Sequence, residues 1–302
     1  MKEIVQLKNL HKEYRTTKAL NNISLTVNVG DIYGLIGPNG AGKSTLIKIL
    51  TGLSKQTDGD VVLFEGEELS KARRKIGSVI ETPAFFKNMT ATENLLYYAL
   101  QFNCPRERVM ECIDLVNLTN VKDKKKFKDY SLGMKQRLGL AFALMNNPKL
   151  IILDEPTNGL DPVGISDLRD TIRKLNEKGV TFIISSHILS ELSQIATRFG
   201  IINNGTMITE FSKEELTAMS SDKIIAETTD VQRLADALSK NAINHTMSEG
   251  NIVEIEKETT SVNEVASIMV ENGIEILSIY KKEITLEEVF LKILNEGGKK
   301  HD

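Results

Sequence analysis

A glycine-rich loop between an apolar segment and a helix-forming segment constrains this chain more than any other feature. The loop reads Gly37-Pro38-Asn39-Gly40-Ala41-Gly42-Lys43-Ser44-Thr45 and fits the pattern G-x-x-x-x-G-K-[ST]. Residues 32–36 before it are almost wholly apolar and have the length of a buried strand. Residues 45–53 after it predict a helix that ends near Gly52. This order predicts an α/β fold in which the loop joins a strand to a helix.

The composition of this loop suits the binding of phosphate groups. Glycines let backbone N–H groups turn toward phosphate oxygens, where a side chain would block the approach. The helix that follows adds the positive end of its dipole. The lysine can bridge the β- and γ-phosphates, and the serine hydroxyl can bind Mg²⁺. A glycine-rich turn without a ligand is the alternative, which the strand and helix on either side disfavour. The loop residues assigned to nucleotide binding are Gly37, Asn39, Gly40, Gly42, Lys43, Ser44 and Thr45.

An apolar run that ends in two acids supplies candidates for metal binding and water activation. Residues 150–153 are Leu-Ile-Ile-Leu, and Asp154 and Glu155 follow. A carboxylate at a strand end can hold Mg²⁺ through its water shell, and this role is assigned to Asp154. A second carboxylate can orient or deprotonate an attacking water, and this role is assigned to Glu155. By itself such a run is usually a strand leaving the core, so its significance depends on the phosphate loop upstream.

A further motif lies just before the helix that leads into the acidic pair. It reads Tyr130-Ser131-Leu132-Gly133-Met134-Lys135-Gln136-Arg137. The motif resembles the signature loop of the ABC ATPases, in the variant where L-S-G-G-Q becomes Y-S-L-G-M. Ser131 and the Gly133 amide, at a helix N-terminus, are suited to gripping a γ-phosphate. Elsewhere in a sequence, serine and glycine at this spacing usually indicate only a helix cap. The position of the motif in this chain favours a signature loop over that alternative.

Three more family elements follow in the expected order. Tyr14 matches the aromatic residue that stacks on adenine, residues 158–161 look like the loop that joins two ATPase copies, and His187 matches the switch histidine. The resemblance covers residues 1–212. It implies an ATPase with ATP and Mg²⁺ as cofactors, whose catalytic residues are Glu155, His187 and Lys43. It also implies a head-to-tail homodimer in which each ATP lies between one phosphate loop and the other copy's signature loop.

One position departs from the pattern of most family members. They have a glutamine where a strand leaves for the helical insertion, and this chain has Glu81. A glutamate only accepts hydrogen bonds, and its charge lies near Mg²⁺, so Glu81 joins Ser44 and Asp154 as a metal candidate. Together with Y-S-L-G-M and the segment 286–290, Leu-Glu-Glu-Val-Phe, it makes the chain similar to bacitracin-type and lantibiotic-immunity exporters. That similarity implies export of, or resistance to, a drug or antimicrobial peptide.

The chain is predicted to contain two domains. Residues 1–212 are expected to form a P-loop NTPase nucleotide-binding domain of the ABC type, with a helical insertion over about 82–140. A Thr90–Glu93 capping box is expected to open the first helix of this insertion. Residues 213–302 show strand and helix patterns in the order βαββαβ, which predicts a small α+β accessory domain of the ferredoxin-like kind.

Composition limits the class of partner. The formal net charge is -3, so nucleic acid is not an expected partner. The N-terminus lacks the apolar core of a secretory signal, and no apolar stretch approaches the roughly 20 residues that cross a bilayer. We therefore expect a cytoplasmic protein, held at the inner face of the cell membrane by membrane-spanning permease subunits. The basic run 122–128 is expected to be a solvated surface.

Other functions remain open at this point. An ABC ATPase that transports nothing could act on ribosomes or nucleic acid, although such proteins carry long coiled-coil arms or two cassettes. A small-molecule kinase would explain the phosphate loop but would leave Tyr130–Arg137 and His187 without roles. A nucleotide-binding scaffold without turnover would not need Glu155.

Overall fold

The computed structural model describes residues 2–80, 84–220, 222–248, 250–256 and 260–298. The chain divides into two compact units, the first of which runs to Lys213 and the second of which spans Glu214–Glu296. None of the helices in the described ranges is both long enough and apolar enough to cross a membrane.

Two sheets form the framework of the first unit. Its strands are β1 (Glu3–Tyr14), β2 (Thr17–Asn28), β3 (Ile32–Ile36), β4 (Asp58–Leu63), β5 (Ile76–Val79), β6 (Leu150–Leu153), β7 (Thr181–Ser186), β8 (Arg198–Asn203) and β9 (Thr206–Ser212). One sheet has the order β2-β1-β4 and is antiparallel, and the other has the order β5-β6-β7-β3-β8-β9. All neighbours in the larger sheet are parallel except β8 and β9, and this mostly parallel sheet with connecting helices confirms the predicted α/β fold.

Helices connect these strands. They are α1 (Lys43–Leu50), α2 (Leu69–Arg73), α3 (Ala91–Phe102), α4 (Arg106–Leu115), α5 (Leu132–Leu144), α6 (Pro162–Glu177) and α7 (Leu189–Ser193), and α8 (Lys213–Met219) follows β9. The predicted capping box is present, because the Thr90 hydroxyl accepts from the Glu93 amide while the Glu93 carboxylate accepts from the Thr90 amide. The helix predicted to begin at Thr45 begins two residues earlier, at Lys43.

The strands at the centre of the larger sheet are buried on both faces, as expected when helices connect parallel strands. All residues of β3, β6 and β7 are buried, including Ser185 and Ser186 at the end of β7. Parallel strands covered on both faces are expected to be apolar throughout rather than alternating. Since β3 pairs with β7 in register to Ile36 and Ser186, the loops after both strands leave the same edge of the sheet. That edge carries the candidate site.

The second unit is a four-stranded sheet covered by helices. Its elements are β10 (Lys223–Glu227), α9 (Val231–Lys240), β11 (His245–Ser248), β12 (Ile252–Glu256), α10 (Val262–Glu271), β13 (Ser278–Lys282) and α11 (Leu286–Gly298). The strands lie in the antiparallel order β11-β12-β10-β13, and apolar residues from the sheet, α9 and α10 form one core. The element order βαββαβ is that of the ferredoxin-like arrangement.

Candidate functional site

An open cleft of about 440 Å³ lies at the carboxyl edge of β3. The phosphate loop forms one wall, and the turn between β8 and β9 forms another. The residues lining the cleft are Thr17, Lys18, Ala19, Asn39, Gly40, Ala41, Gly42, Lys43, Ser44, Thr45, Glu155, Asn204 and Gly205. It therefore brings together most of the predicted phosphate-binding residues and Glu155, with additional residues of β2 and the β8–β9 turn.

The loop can be made only with glycine at two of its positions. Gly42 has φ +110°, and a Cβ there would lie 2.7 Å from the Ala19 carbonyl oxygen. A Cβ on Gly37 would collide with the Ile202 carbonyl oxygen. Both glycines let the loop backbone pass close to neighbouring atoms. At Gly40, by contrast, the loop is open and faces the cleft. This curved backbone fits a phosphate group.

The Lys43 ammonium lies inside the loop rather than in solvent. The residue is 5% exposed, and Nζ donates to the Gly37 carbonyl at 2.6 Å and to the Pro38 carbonyl at 3.2 Å. It also lies 3.1 Å from Glu155 Oε1. A buried ammonium group requires acceptor oxygens of this kind around it. The Lys43 ammonium therefore lies at the phosphate loop before any phosphate is bound.

Asp154 and Glu155 are positioned by a serine that the sequence did not identify as functional. The Ser185 hydroxyl donates to Asp154 Oδ1 at 2.6 Å and accepts from the Glu155 amide at 2.8 Å. Ser185 is fully buried, and Asp154 is 8% exposed. Ser185 lies beside the predicted switch histidine in sequence, but only the pairing of β6 with β7 shows which residues it contacts.

The Glu155 carboxylate is held between two cationic or ionisable groups. Its backbone is left-handed, with φ +46°, and Oε2 lies 2.9 Å from His187 Nδ1. Oε1 is buried without a hydrogen bond among the described residues, although Lys43 Nζ is within ion-pair distance. We take the contact as an ion pair with poor hydrogen-bond geometry. An acceptor oxygen in this state, facing a cleft, is suited to binding a water molecule.

The oxygen groups present fit Mg²⁺. Ser44 lies in the cleft, and Asp154 is anchored through one carboxylate oxygen. The described residues contain no cluster of three His, Cys, Asp or Glu side chains suited to a metal. Mg²⁺ usually takes only one or two protein oxygens and completes its shell with water and phosphate. Glu81, the third metal candidate, lies outside the described residues, two positions after Val79, whose carbonyl accepts from the Asp154 amide.

Tyr14 lies at the end of β1, opposite Thr17 of the cleft wall. Its ring is 46% exposed, and its hydroxyl is 3.3 Å from Ser54 Oγ. Lys12 Nζ lies 4.6 Å from the ring centroid. The ring is thus exposed near the cleft, as adenine stacking requires, and it has a cation on one face.

Ser131 and Gly133 are not among the residues that line the Lys43 cleft. Ser131 caps α5 by accepting from the Met134 amide, and its side chain is exposed. The loop before α6 packs against this turn, since a Cβ on Gly159 would lie 2.9 Å from Leu132 Cδ2. One copy of the chain therefore does not place its signature turn on its own phosphate loop.

A second polar group that the sequence did not reveal lies beside the acids. Glu191 accepts from the Thr157 hydroxyl at 2.6 Å and from the Ser186 hydroxyl at 3.4 Å. These bonds join the segment after Glu155 to the end of β7. No sequence motif identifies Glu191, because its role depends on its contacts with Thr157 and Ser186 in the folded chain.

Comparison with known proteins identifies relatives of this site and fold. Residues 20–158 match the family described as ABC transporter. The bacitracin transport ATP-binding protein BcrA of Enterococcus faecalis is 41% identical over 99% of this chain and 98% of its own length. The lantibiotic transport ATP-binding protein SrtF of Streptococcus pyogenes is 45% identical over 74% of this chain and 99% of its own. Among solved structures, the dimeric post-hydrolysis state of the ATP-binding cassette MJ0796 with ADP and phosphate has a TM-score of 0.62. It is 30% identical and covers 70% of this chain and 99% of that chain.

Proposed function

Since this chain belongs to the ATP-binding proteins of ABC transporters, we propose that two copies bind two MgATP molecules between them and hydrolyse ATP to power transport. Membership of the family implies ATPase activity. The observation that carries the proposal is that Lys43 and His187 both contact the Glu155 carboxylate, which lines the same cleft as Lys43. Residues 1–212 would act as the motor and residues 213–302 as an accessory domain.

The exposed signature turn supports a site shared between two copies. Ser131 and Gly133 lie outside the Lys43 cleft, so a second copy has to supply them if they are to contact the same nucleotide. In such a pair, the amides and the positive dipole end at the start of α5 would face the γ-phosphate of the other copy's nucleotide. A head-to-tail pair would give each nucleotide one phosphate loop and one signature turn.

The residues of the cleft have distinct roles in this reaction. Bound MgATP supplies the phosphoryl group and a cation that neutralises its charge. Lys43 leaves the Glu155 carboxylate to contact the β- and γ-phosphates, which frees Oε1 to accept a hydrogen bond from the attacking water. Glu155 takes a proton from that water while the water oxygen bonds to the γ-phosphorus and the bond to ADP breaks, and His187 fixes the orientation of the carboxylate through Oε2. Asp154 and Ser44 would hold Mg²⁺, and Tyr14 would stack on adenine.

The names of the relatives suggest the cargo. Two relatives that match most of their length are named for transport of bacitracin and of a lantibiotic. We propose that this chain powers export of, or resistance to, an antimicrobial peptide or drug of that type. Cells that lack it should become more sensitive to bacitracin or lanthionine peptides, and unchanged sensitivity across both classes would contradict this assignment.

An aromatic surface on the helical insertion suits the membrane-spanning partner. Phe86 is 42% exposed and Tyr97 is 43% exposed, and their ring centroids are 4.8 Å apart. Tyr98 continues the cluster to Phe142, at 5.0 Å. Phe142 lies on α5, the helix that Ser131 caps. A permease contact at this surface would therefore be connected to the signature turn through one helix. The partner would hold the chain at the cytoplasmic face of the membrane.

This docking surface can be tested without measuring transport. Replacing Phe86 and Tyr97 with Ala should reduce co-purification of the permease while leaving nucleotide binding intact, because neither ring lines the cleft. Val29→Ala is a control at an exposed apolar residue that lies between β2 and β3 and not on the helical insertion. Equal permease recovery with both variants would contradict the assignment.

The ATPase proposal itself has a direct test. Glu155→Gln should abolish hydrolysis while ATP remains bound, because the amide keeps the shape of the side chain but cannot take a proton. Hydrolysis at the wild-type rate would show that Glu155 is not the base.

A further inference from the structure

Five exposed lysines cluster at the surface of the helical insertion. They are Lys87, Lys124, Lys125, Lys126 and Lys128, and we call them the basic patch. Backbone contacts bring the two parts together, because the Lys128 amide donates to the Lys87 carbonyl at 3.0 Å. The same segment continues antiparallel to the start of α3 through a bridge between Thr90 and Lys126. The patch is therefore a feature of the fold and not only of the sequence.

The segment that carries these lysines is anchored from beneath. Phe127 is buried, its amide donates to the Met89 carbonyl at 2.8 Å, and its ring packs edge-on against Phe85 at 5.3 Å. Lysines on either side of a buried anchor are held at the surface rather than on a mobile arm. A preformed group of charges binds with a smaller loss of entropy than a flexible one.

The lysines in and around the basic patch outnumber the acids near them. Elsewhere lysines pair with carboxylates, as Lys75 does with Glu67, but the described residues give none of the five patch lysines an ion pair. The acids on the elements around the patch are Asp123, Asp129 and Glu93, and two further lysines, Lys122 and Lys135, also lie there. The Glu93 carboxylate is already bonded to the Thr90 amide in the capping box.

A concentrated positive surface on a chain of net charge -3 needs a specific explanation. Next to the patch, Phe86 is exposed and lies within the aromatic surface described above. Exposed ammonium groups next to that proposed permease contact are placed to meet the phosphates of the anionic lipids around the permease.

We propose that the basic patch binds the anionic lipid head groups of the membrane that surrounds the permease. The binding would orient the insertion toward the bilayer and supplement the contact with the permease. The proposal rests on the proposed function only in expecting a membrane to be nearby, since the contact itself needs no nucleotide and no permease.

The test uses the full chain and vesicles. Wild-type protein should sediment with vesicles containing phosphatidylglycerol and not with pure phosphatidylcholine vesicles, and added salt should release it because exposed charges are screened. Each lysine near an anionic surface favours binding by about 1 kcal/mol, or about fivefold, so replacing Lys124, Lys125 and Lys126 with Gln should weaken partitioning by about 100-fold.

A control variant separates location from total charge. Replacing Lys149, Lys174 and Lys178 with Gln removes the same charge from other exposed positions and should leave partitioning within about twofold of wild type, since electrostatic attraction falls off over a Debye length. Equal losses in both variants, or no sedimentation of wild type with anionic vesicles, would overturn the proposal. Retention on single-stranded RNA without vesicle binding would also overturn it, by assigning the patch to nucleic acid.

The ATPase rate distinguishes this proposal from the proposed function. The patch variant should hydrolyse ATP at the wild-type rate, because none of its three lysines lines the cleft. If the vesicle experiment fails while hydrolysis is normal, only the lipid contact is wrong. If wild-type protein binds anionic vesicles but does not hydrolyse ATP with its permease present, the proposed motor is wrong and the lipid contact stands.

Discussion

Ser185→Ala should lower both the stability and the turnover rate, because the Ser185 hydroxyl bonds to both Asp154 and Glu155. Its bond to the Asp154 carboxylate is charge-assisted, and its bond from the Glu155 amide is neutral. Such bonds contribute about 1.5–3 and about 0.5–1.5 kcal/mol, so their loss at a fully buried position should cost about 2–4.5 kcal/mol. Urea titration should show this loss in the free energy of unfolding.

The kinetic consequence of Ser185→Ala concerns turnover rather than nucleotide binding. If Glu155 is misoriented, each 1.4 kcal/mol of transition-state stabilisation that is lost lowers the rate about tenfold. We therefore expect kcat to fall by about one to two orders of magnitude. Nucleotide affinity measured without Mg²⁺ should change by less than about twofold, since Ser185 does not line the cleft.

The neighbouring serine provides the control for this experiment. Ser186 is also buried, but its hydroxyl accepts from the Ile188 amide at 3.0 Å and lies 3.4 Å from Glu191. Ser186→Ala should therefore lose stability while keeping most of its kcat. If Ser185→Ala turns over at the wild-type rate, or if both variants lose kcat equally, Ser185 does not position the acids.

Three further changes test other parts of the account. Gly42→Ala should reduce ATP affinity below detection in a filter-binding assay, because φ +110° and the close carbonyl exclude a Cβ, and wild-type affinity would contradict the fit to phosphate. Tyr14→Ala should weaken ATP binding by about 1–3 kcal/mol, with Tyr14→Phe near wild type, and calorimetry showing equal losses would refute stacking. In the second unit, the hydrogen bond from Lys223 lowers the pKa of the Glu254 carboxyl. The stability that this pair contributes is therefore fully present above the pKa that Glu254 has in the unfolded chain. It is lost as the pH falls through the lower pKa that Glu254 has in the folded chain. Glu254→Gln should then be less stable than wild type at neutral pH and equal to it in acid, and a pH-independent difference in urea denaturation would contradict this reasoning.

The parts of the fold that could be predicted are those with a local signal. Residues 32–36 and 150–153 were predicted as strands and have those bounds as β3 and β6, because a wholly apolar run between turns identifies a buried strand. The Thr90 capping box marks the start of α3, and α6 starts at an aspartate followed by proline, Asp161-Pro162. These signals depend only on neighbours in sequence.

Other elements lacked such a signal. The strand β4 begins Asp58-Gly59-Asp60, a composition typical of a turn, and forms because β1 pairs with it. In β9 all but one residue are only half-buried, so no apolar run marks it. Pairing between distant strands decides both cases, and local propensity does not contain that information.

The same division holds for the candidate site. The phosphate loop and the acidic pair could be found from their spacing, whereas the roles of Ser185 and Glu191 depend on contacts across β6 and β7. The ion pair between Lys43 and Glu155 likewise joins two motifs that the sequence shows separately.

The central claim is that each ATP lies between Lys43 of one copy and Ser131 of the other. We would mix a Lys43→Ala chain with a Ser131→Arg chain, each inactive as a homodimer. A mixed dimer contains one site with both wild-type residues, so random pairing should restore up to about one quarter of the wild-type ATPase rate, since half the dimers are mixed and each has one intact site of two. A mixture no more active than its separate components, or a Ser131→Arg chain that hydrolyses ATP alone at the wild-type rate, would contradict the shared site.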